Sequence, residues 1–296
     1  MAIARIMLGV TGLLLALAAA WPAPARAAAD RDVPSTNVSA YRGLAAWIDI
    51  FDAQPWERPA RYVRGLTRRG VGTVFVQTSN YRQPRDLHRP AAIGRMLRSA
   101  HRYGVRIVAW YLPGFDDPRR DWRRVRAAVG YEAAGGHRFD GFALDIEATA
   151  VRDIALRNRR MLRMSERLRR FAGERYPLGA IIPDPVSQRY WPGFPHRAVG
   201  ALYDAILPMS YWTGHAAGEA RVRRRTCRTL RLIRSRTRDR EASVHMIGGI
   251  ASHASPAEVR GFVRGAVACR ATGASLYDAP ITSAEQWREL RRLDLS

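Results

Sequence analysis

From residue 44 onward, eight short apolar runs recur along the chain. They are LAAWIDIF (44–51), GTVFVQT (72–78), VRIVAWYL (105–112), GFALDIE (141–147), LGAIIP (178–183), AILPMSY (205–211), SVHMIGGI (243–250) and GASLYD (273–278). Each is rich in β-branched or aromatic residues and too short for a core helix, which predicts strands covered on both faces. The stretches between them carry apolar residues at helical spacing on an arginine-rich background. Ser255-Pro256-Ala257-Glu258 and Thr282-Ser283-Ala284-Glu285 read as capping boxes, Asp117-Pro118 opens another helix, and Gly104 closes one. Region 184–204 is the least regular and reads as a loop followed by a short helix near 195–203.

Eight strands, each followed by a helix, predict the α/β class and a single (β/α)8 TIM barrel. A doubly wound sheet would place a glycine-rich turn after its first strand. Here GVGTVF (70–75) has its glycines before the strand, so it is a turn and no dinucleotide fingerprint.

Before the first run, MAIAR is followed by an uncharged stretch from Ile6 to Ala20 and by PAPARAAAD. That layout predicts a signal peptide over 1–29, cleaved after Ala27 or Ala29, and a secreted, extracytoplasmic protein. No later run reaches the roughly 20 residues of a membrane-spanning helix, so no integral membrane segment is expected after leader removal. Residues 30–42 read as an exposed lead-in and 43–296 as the barrel.

Charge changes the picture little. The formal net charge is +23, from 49 basic and 26 acidic residues, and every basic residue is Arg. A codon bias toward Arg accounts for this most simply; attraction to an anionic polymer is the alternative. The runs RNRRMLRMSERLRR and VRRRTCRTLRLIRSRTR have helical spacing and lack interleaved aromatics, so they read as solvated faces and nucleic acid is not an expected partner. Cys227 and Cys269 are the two cysteines. An intrachain Cys227–Cys269 disulfide and a pair of buried thiols both stand open.

Barrel chemistry sits at the carboxyl ends of the strands. In the fourth run, Phe142, Leu144 and Ile146 alternate with Ala143, Asp145 and Glu147, which predicts an apolar face toward the helices and an acidic face into the barrel mouth. Two carboxylates about 6–7 Å apart along one strand raise each other's pKa, which prepares a proton donor for glycosidic cleavage. Tyr211 points inward by alternation with Met209. Asp49, Gln77, Trp110, Tyr111, Asp184, Trp191, Trp212 and Tyr277 complete the candidate substrate-binding set: polar groups to orient a sugar, and flat rings to stack on it. Asp140 reads as a turn stabiliser. The seven histidines show no ligand spacing and no GxSxG turn occurs, so neither a metal nor another cofactor is expected.

DGFALDIE resembles the fourth-strand DGxDxDxE signature of family 18 glycoside hydrolases, the chitinase type. Asp140, Gly141, Asp145 and Glu147 match, and Ala143 stands at the first inner Asp. Met209-Ser210-Tyr211 is similar to that family's sixth-strand MxYD element, with Trp212 at the Asp. The resemblance implies Glu147 as proton donor, Asp145 orienting a substrate acetamido group, and Tyr211 hydrogen-bonding to it.

Two functions follow as expectations: an exported glycosidase acting on a glycan or cell-wall polysaccharide, and a catalytically silent barrel that binds such a polymer. A phosphorylated substrate held near Gly248-Gly249 is a third and weaker reading.

Overall fold

The structure is a computed structural model that describes residues 36–295. The expected signal peptide, residues 1–29, lies outside the described residues.

Eight parallel strands close into a barrel: β1 Gly43–Ile48, β2 Thr73–Asn80, β3 Arg106–Leu112, β4 Gly141–Asp145, β5 Leu178–Pro183, β6 Ala205–Met209, β7 His245–Ile250 and β8 Gly273–Tyr277. Each pairs with its sequence neighbours, and β8 returns to β1 through Gly43–Gly273 and Leu44–Ala274. This is the expected (β/α)8 architecture. Several strands stop one to three residues before the apolar run does, because the run continues into the loop at the barrel mouth. β2 instead extends two residues past its run to Asn80, with a register shift between Gln77 and Ser79.

The helices pack outside this sheet. Pro59–Thr67, Pro90–Arg102, Pro118–Val129, Ile154–Ala172, Glu219–Thr237 and Pro256–Ala268 are the longer ones. Their starts follow local chemistry. Asp117 accepts from the amides of Arg119 and Arg120, and Ser255 and Glu258 form the reciprocal box expected of them. The final helix begins one residue later than expected, with Ser283 and Gln286 forming its box, because the Thr282 hydroxyl donates to Asp278 O instead. In the irregular region, His196–Leu202 is the short helix.

Two apolar layers result. Phe142, Leu144 and Ile146 belong to the layer between strands and helices, whereas Ala143 lies inside the barrel with Trp47, Phe75, Trp110, Leu207 and Met209. Trp47 stacks on Phe75 at 4.1 Å and meets Trp110 edge-on at 5.8 Å. Ala143 is the register partner of Trp110. The indole therefore fills interior space next to that small residue.

The lead-in differs from expectation. Residues Thr36–Tyr41 form a 3-10 turn, and Val38, Ala40 and Tyr41 are buried. The Tyr41 ring closes the amino-terminal end of the barrel, its hydroxyl donating to Phe142 O at 2.9 Å and Pro177 O at 3.2 Å. Gly179 is required by this contact, since a Cβ there would meet the Tyr41 ring at 2.7 Å. Beside the plug, His245 Nδ1 lies 2.8 Å from Tyr41 O and its Nε2 lies 2.9 Å from the Ser275 hydroxyl, which also accepts from Trp47 Nε1.

Cys227 and Cys269 form a disulfide joining the helix 219–237 to the end of the helix 256–268, so of the two sequence alternatives the bridge is the one present. Among the described residues no helix is long and apolar enough to cross a membrane.

Candidate active site

At the carboxyl ends of the strands lies a cavity of about 200 Å³, lined by Trp47, Asp49, Phe51, Gln77, Asn80, Trp110, Leu112, Asp145, Glu147, Ile181, Met209, Tyr211, Ile247 and Tyr277. Seven of the eleven predicted site residues meet here: Asp49, Gln77, Trp110, Asp145, Glu147, Tyr211 and Tyr277. A larger groove of about 720 Å³ runs between the helices 219–237 and 256–268, but its lining is mostly arginine, with one acid and no ring. Among the described residues, acid–base groups and aromatics come together at the mouth cavity, which makes it the candidate site.

Asp145 ends β4 and Glu147 follows in the loop. Asp145 is buried, and its Oδ1 is shielded from water with no hydrogen-bond partner. Burial raises both carboxyls above their ordinary range, and the nearby Glu147 charge pushes Asp145 further. Both carboxyls therefore hold their protons more firmly than ordinary ones, and the charge on one bears on the other. None of the ion pairs among the described residues engages either group.

Two phenols border the pair. Burial and then the Glu147 and Asp145 charges drive the Tyr211 pKa far up, so its hydroxyl stays protonated. Tyr190, half exposed in the loop after β5, is raised by burial and by the same two charges, which places it near them. The sequence offers it as one of the loop rings able to pack on a sugar face. Its position in a loop hides it from any alternation argument.

Across the mouth, Asp49 Oδ1 accepts from the amides of Phe51 at 2.6 Å and Asp52 at 3.2 Å, and Oδ2 accepts from Tyr277 Oη at 3.0 Å. Asp49 forms no ion pair with Arg106, which begins β3 at the opposite end of the barrel. Gln77 Oε1 accepts from Ile50 N at 3.1 Å, fixing the loop after β1. Buried Arg124 donates to Asn80 O at 2.8 Å and also to Gln83 O, anchoring the end of β2. Trp110 Nε1, like Asp145 Oδ1, is buried without a partner. Beside Asp49 stand Asp52 and Asp278, one carboxylate oxygen from each of the three lying within 4.8 Å of the others. Burial and neighbouring carboxylates raise Asp52 to about 7 and Asp278 to about 6.

Four predicted site residues lie elsewhere. Tyr111 points outward, where its hydroxyl donates to buried Asp121 at 2.5 Å. Trp212 packs on Phe262 and against Gly248 and Gly249 in the outer layer. Each neighbours a cavity residue, Trp110 or Tyr211; strand alternation sends Tyr111 the other way, and Trp212 turns outward in the segment after β6. Asp184 accepts from Ser187 Oγ at 2.7 Å and pairs with Arg225 on the helix 219–237. Trp191 is sealed between Phe115, Phe194 and the Arg157 guanidinium, and donates to Asn158 Oδ1 at 2.7 Å. Gly248 and Gly249 lie within β7 and are close-packed against the Trp212 ring. Asp140 has the turn role expected of it, accepting from Ile107 N at 2.7 Å and pairing with His101.

The same barrel fold occurs in solved structures of several polysaccharide-acting enzymes. An endo-β-1,4-mannanase from Thermotoga petrophila superposes with TM-score 0.65 at 7% identity over 87% of this chain and 77% of its own. A chitinase from Bacteroides thetaiotaomicron gives 0.63 at 10% identity, covering 85% and 94%. The spore cortex-lytic enzyme SleL of Bacillus cereus gives 0.62 at 9% identity, covering 85% and 74%. By sequence, no family model and no curated protein matches the chain. At these identities the likeness establishes the fold alone.

Proposed function

We propose that the protein is an exported glycoside hydrolase that cleaves a glycan or cell-wall polysaccharide by carboxylate acid–base catalysis. The observation that carries this reading is the pair Asp145 and Glu147. It stands in a ring-lined mouth without an arginine, and one buried oxygen is left without a donor. A structural carboxylate pair would be neutralised or fully hydrogen-bonded. A pair left open and holding a proton is suited to catalysis.

In this mechanism Glu147 gives its proton to the glycosidic oxygen as the bond from that oxygen to the anomeric carbon breaks. Water then supplies the hydroxyl at that carbon, and its remaining proton returns to Glu147. The pair shares one proton, and with that proton on Glu147 the Asp145 carboxylate stabilises the positive charge that develops on the sugar ring. Tyr211, kept protonated by burial, donates to a substrate oxygen. Trp47 and Trp110 form the floor of the subsite, and Asp49 and Tyr277 present polar atoms to the sugar hydroxyls. The fold likeness to a mannanase, a chitinase and a cortex-lytic enzyme supports the substrate class, and the disulfide supports export.

The test is release of reducing ends from mannan, chitin oligosaccharides and peptidoglycan. Glu147→Gln is expected to lower it at least 100-fold while the fold persists. Equal rates for wild type and variant sink the assignment. Ala143 and Trp212, both departing from the chitinase pattern, favour a second reading in which the barrel binds the polymer without cleaving it. Retention on insoluble glycan with no release by either form selects that reading.

A further inference from the structure

Beside the cavity, three carboxylates come together from the two ends of the barrel sequence. Asp49 and Asp52 lie in the loop after β1, and Asp278 directly follows β8, with one oxygen from each inside a 4.8 Å span. An acidic cluster alone would be unremarkable on a solvated surface. This one differs in three respects.

The first is burial. Asp278 is 5% exposed, and its Oδ1 is shut off from water with no hydrogen-bond partner. A buried carboxylate oxygen without a donor is unfavourable unless the group is protonated or something positive reaches it. The second is the missing counter-charge. The chain has 49 basic residues for 26 acidic ones. Yet among the described residues no ion pair engages Asp49, Asp52 or Asp278. The third is the local role of Asp52. It precedes the short helix Ala53–Glu57 but caps none of its amides, and its Oδ2 accepts from Asp49 N at 2.8 Å instead.

From this geometry we infer that Asp49, Asp52 and Asp278 form a binding site for a hard divalent cation, calcium before magnesium, on the rim of the substrate cavity. The donor set is all oxygen. Its span is on the scale of a calcium sphere, with bonds of about 2.3–2.6 Å, and is loose for magnesium at about 2.0–2.1 Å. Asp49 and Asp52 are partly exposed, which leaves an entry path and room for water ligands. Because the ligands join the loops after β1 and β8, a bound ion would clamp the seam where the barrel closes. Sequence spacing does not reveal the site, since its third member lies more than 200 positions from the others.

The test uses the full chain, cleared with EDTA and compared at matched ionic strength with calcium, magnesium or manganese chloride. At about 100 times Kd, calcium is expected to raise Tm by roughly 5 °C or more, with a smaller response to magnesium. Asp278→Asn and Asp52→Asn should each remove the calcium response. Asp278→Asn should leave the EDTA-treated Tm equal to or above wild type, because it deletes a buried charge without changing shape. Terbium gives a second readout. Trp56, whose indole donates to Asp49 O at 2.6 Å, should sensitise its emission in wild type and not in the double variant. A calcium response absent from wild type, or kept in full by both single variants, overturns the site. Neither readout depends on hydrolysis, so the outcome is separate from that of the proposed activity.

Discussion

Tyr277, at the end of the last strand, donates its hydroxyl to Asp49, just past the first strand, at 3.0 Å. The bond crosses the seam where β8 meets β1, beyond their ladder pairs, and a backbone bond from Ala279 N to Trp47 O at 3.1 Å bridges the same seam. It aims one Asp49 oxygen while two amides hold the other. Tyr277→Phe leaves the ring and removes the donor. Chemical denaturation should show a loss of about 1–2 kcal/mol, discounted because Asp49 is partly exposed. Reducing-end release should fall about tenfold, chiefly through KM. An unchanged KM would remove Asp49 from substrate contact.

Burial raises both Asp145 and Glu147. Between the ordinary carboxylate range and these raised values, the folded protein binds more protons than the unfolded chain, so this pair costs stability as pH rises through that window. Asp145→Asn should therefore raise Tm at pH 7 and change it little at pH 3. The basic limb of the kcat/KM profile should lie above the ordinary glutamic acid value of about 4.3. A limb at or below that value would contradict a raised pair.

The two histidines His245 and His196 act in the opposite direction. Burial lowers each to about 4. The unfolded chain takes up the extra proton below about 6.5, so stability is fully present above that pH and is lost as pH falls toward 4. Each contributes roughly 3 kcal/mol to that loss. Urea unfolding at pH 7 and pH 4 should show a smaller difference for His245→Gln than for wild type. An equal difference would mean that the histidine is already charged in the fold.

The Cys227–Cys269 bridge closes a loop of 42 positions. Loop-closure entropy sets its contribution at about 4 kcal/mol. Reduction, or the double replacement by alanine, should lower the unfolding free energy by about that amount and leave the mouth cavity competent, since the bridge lies on the outer wall.

The barrel was legible because all eight strands are covered on both faces and their apolar runs are interrupted by cleanly signalled helices. The division of residues 142–147 was legible because alternation is obligatory in a strand. Tyr111 escaped because adjacent positions of one strand cannot share a face, and Trp212 because the segment past β6 turns it into the outer layer against Phe262. Asp184 and Trp191 escaped for a different reason: Arg225 and Arg157 reach them from helices that no local pattern connects to those loops. Trp47 was passed over in favour of its neighbour Asp49, although both point inward. Ala143, conspicuous in sequence as a missing acid, becomes explicable beside Trp110. An aspartate there would meet an indole in a closed interior, so one large ring and one small residue come as a pair.

Tyr41 has a practical consequence for anyone handling the chain. The barrel floor is sealed by residues upstream of the first strand, with Gly179 reserved for its ring. A trimmed version starting at residue 43 would match the sheet and still be uncorked at its base. Affinity tags and domain fusions therefore belong upstream of residue 36, where they leave this plug in place.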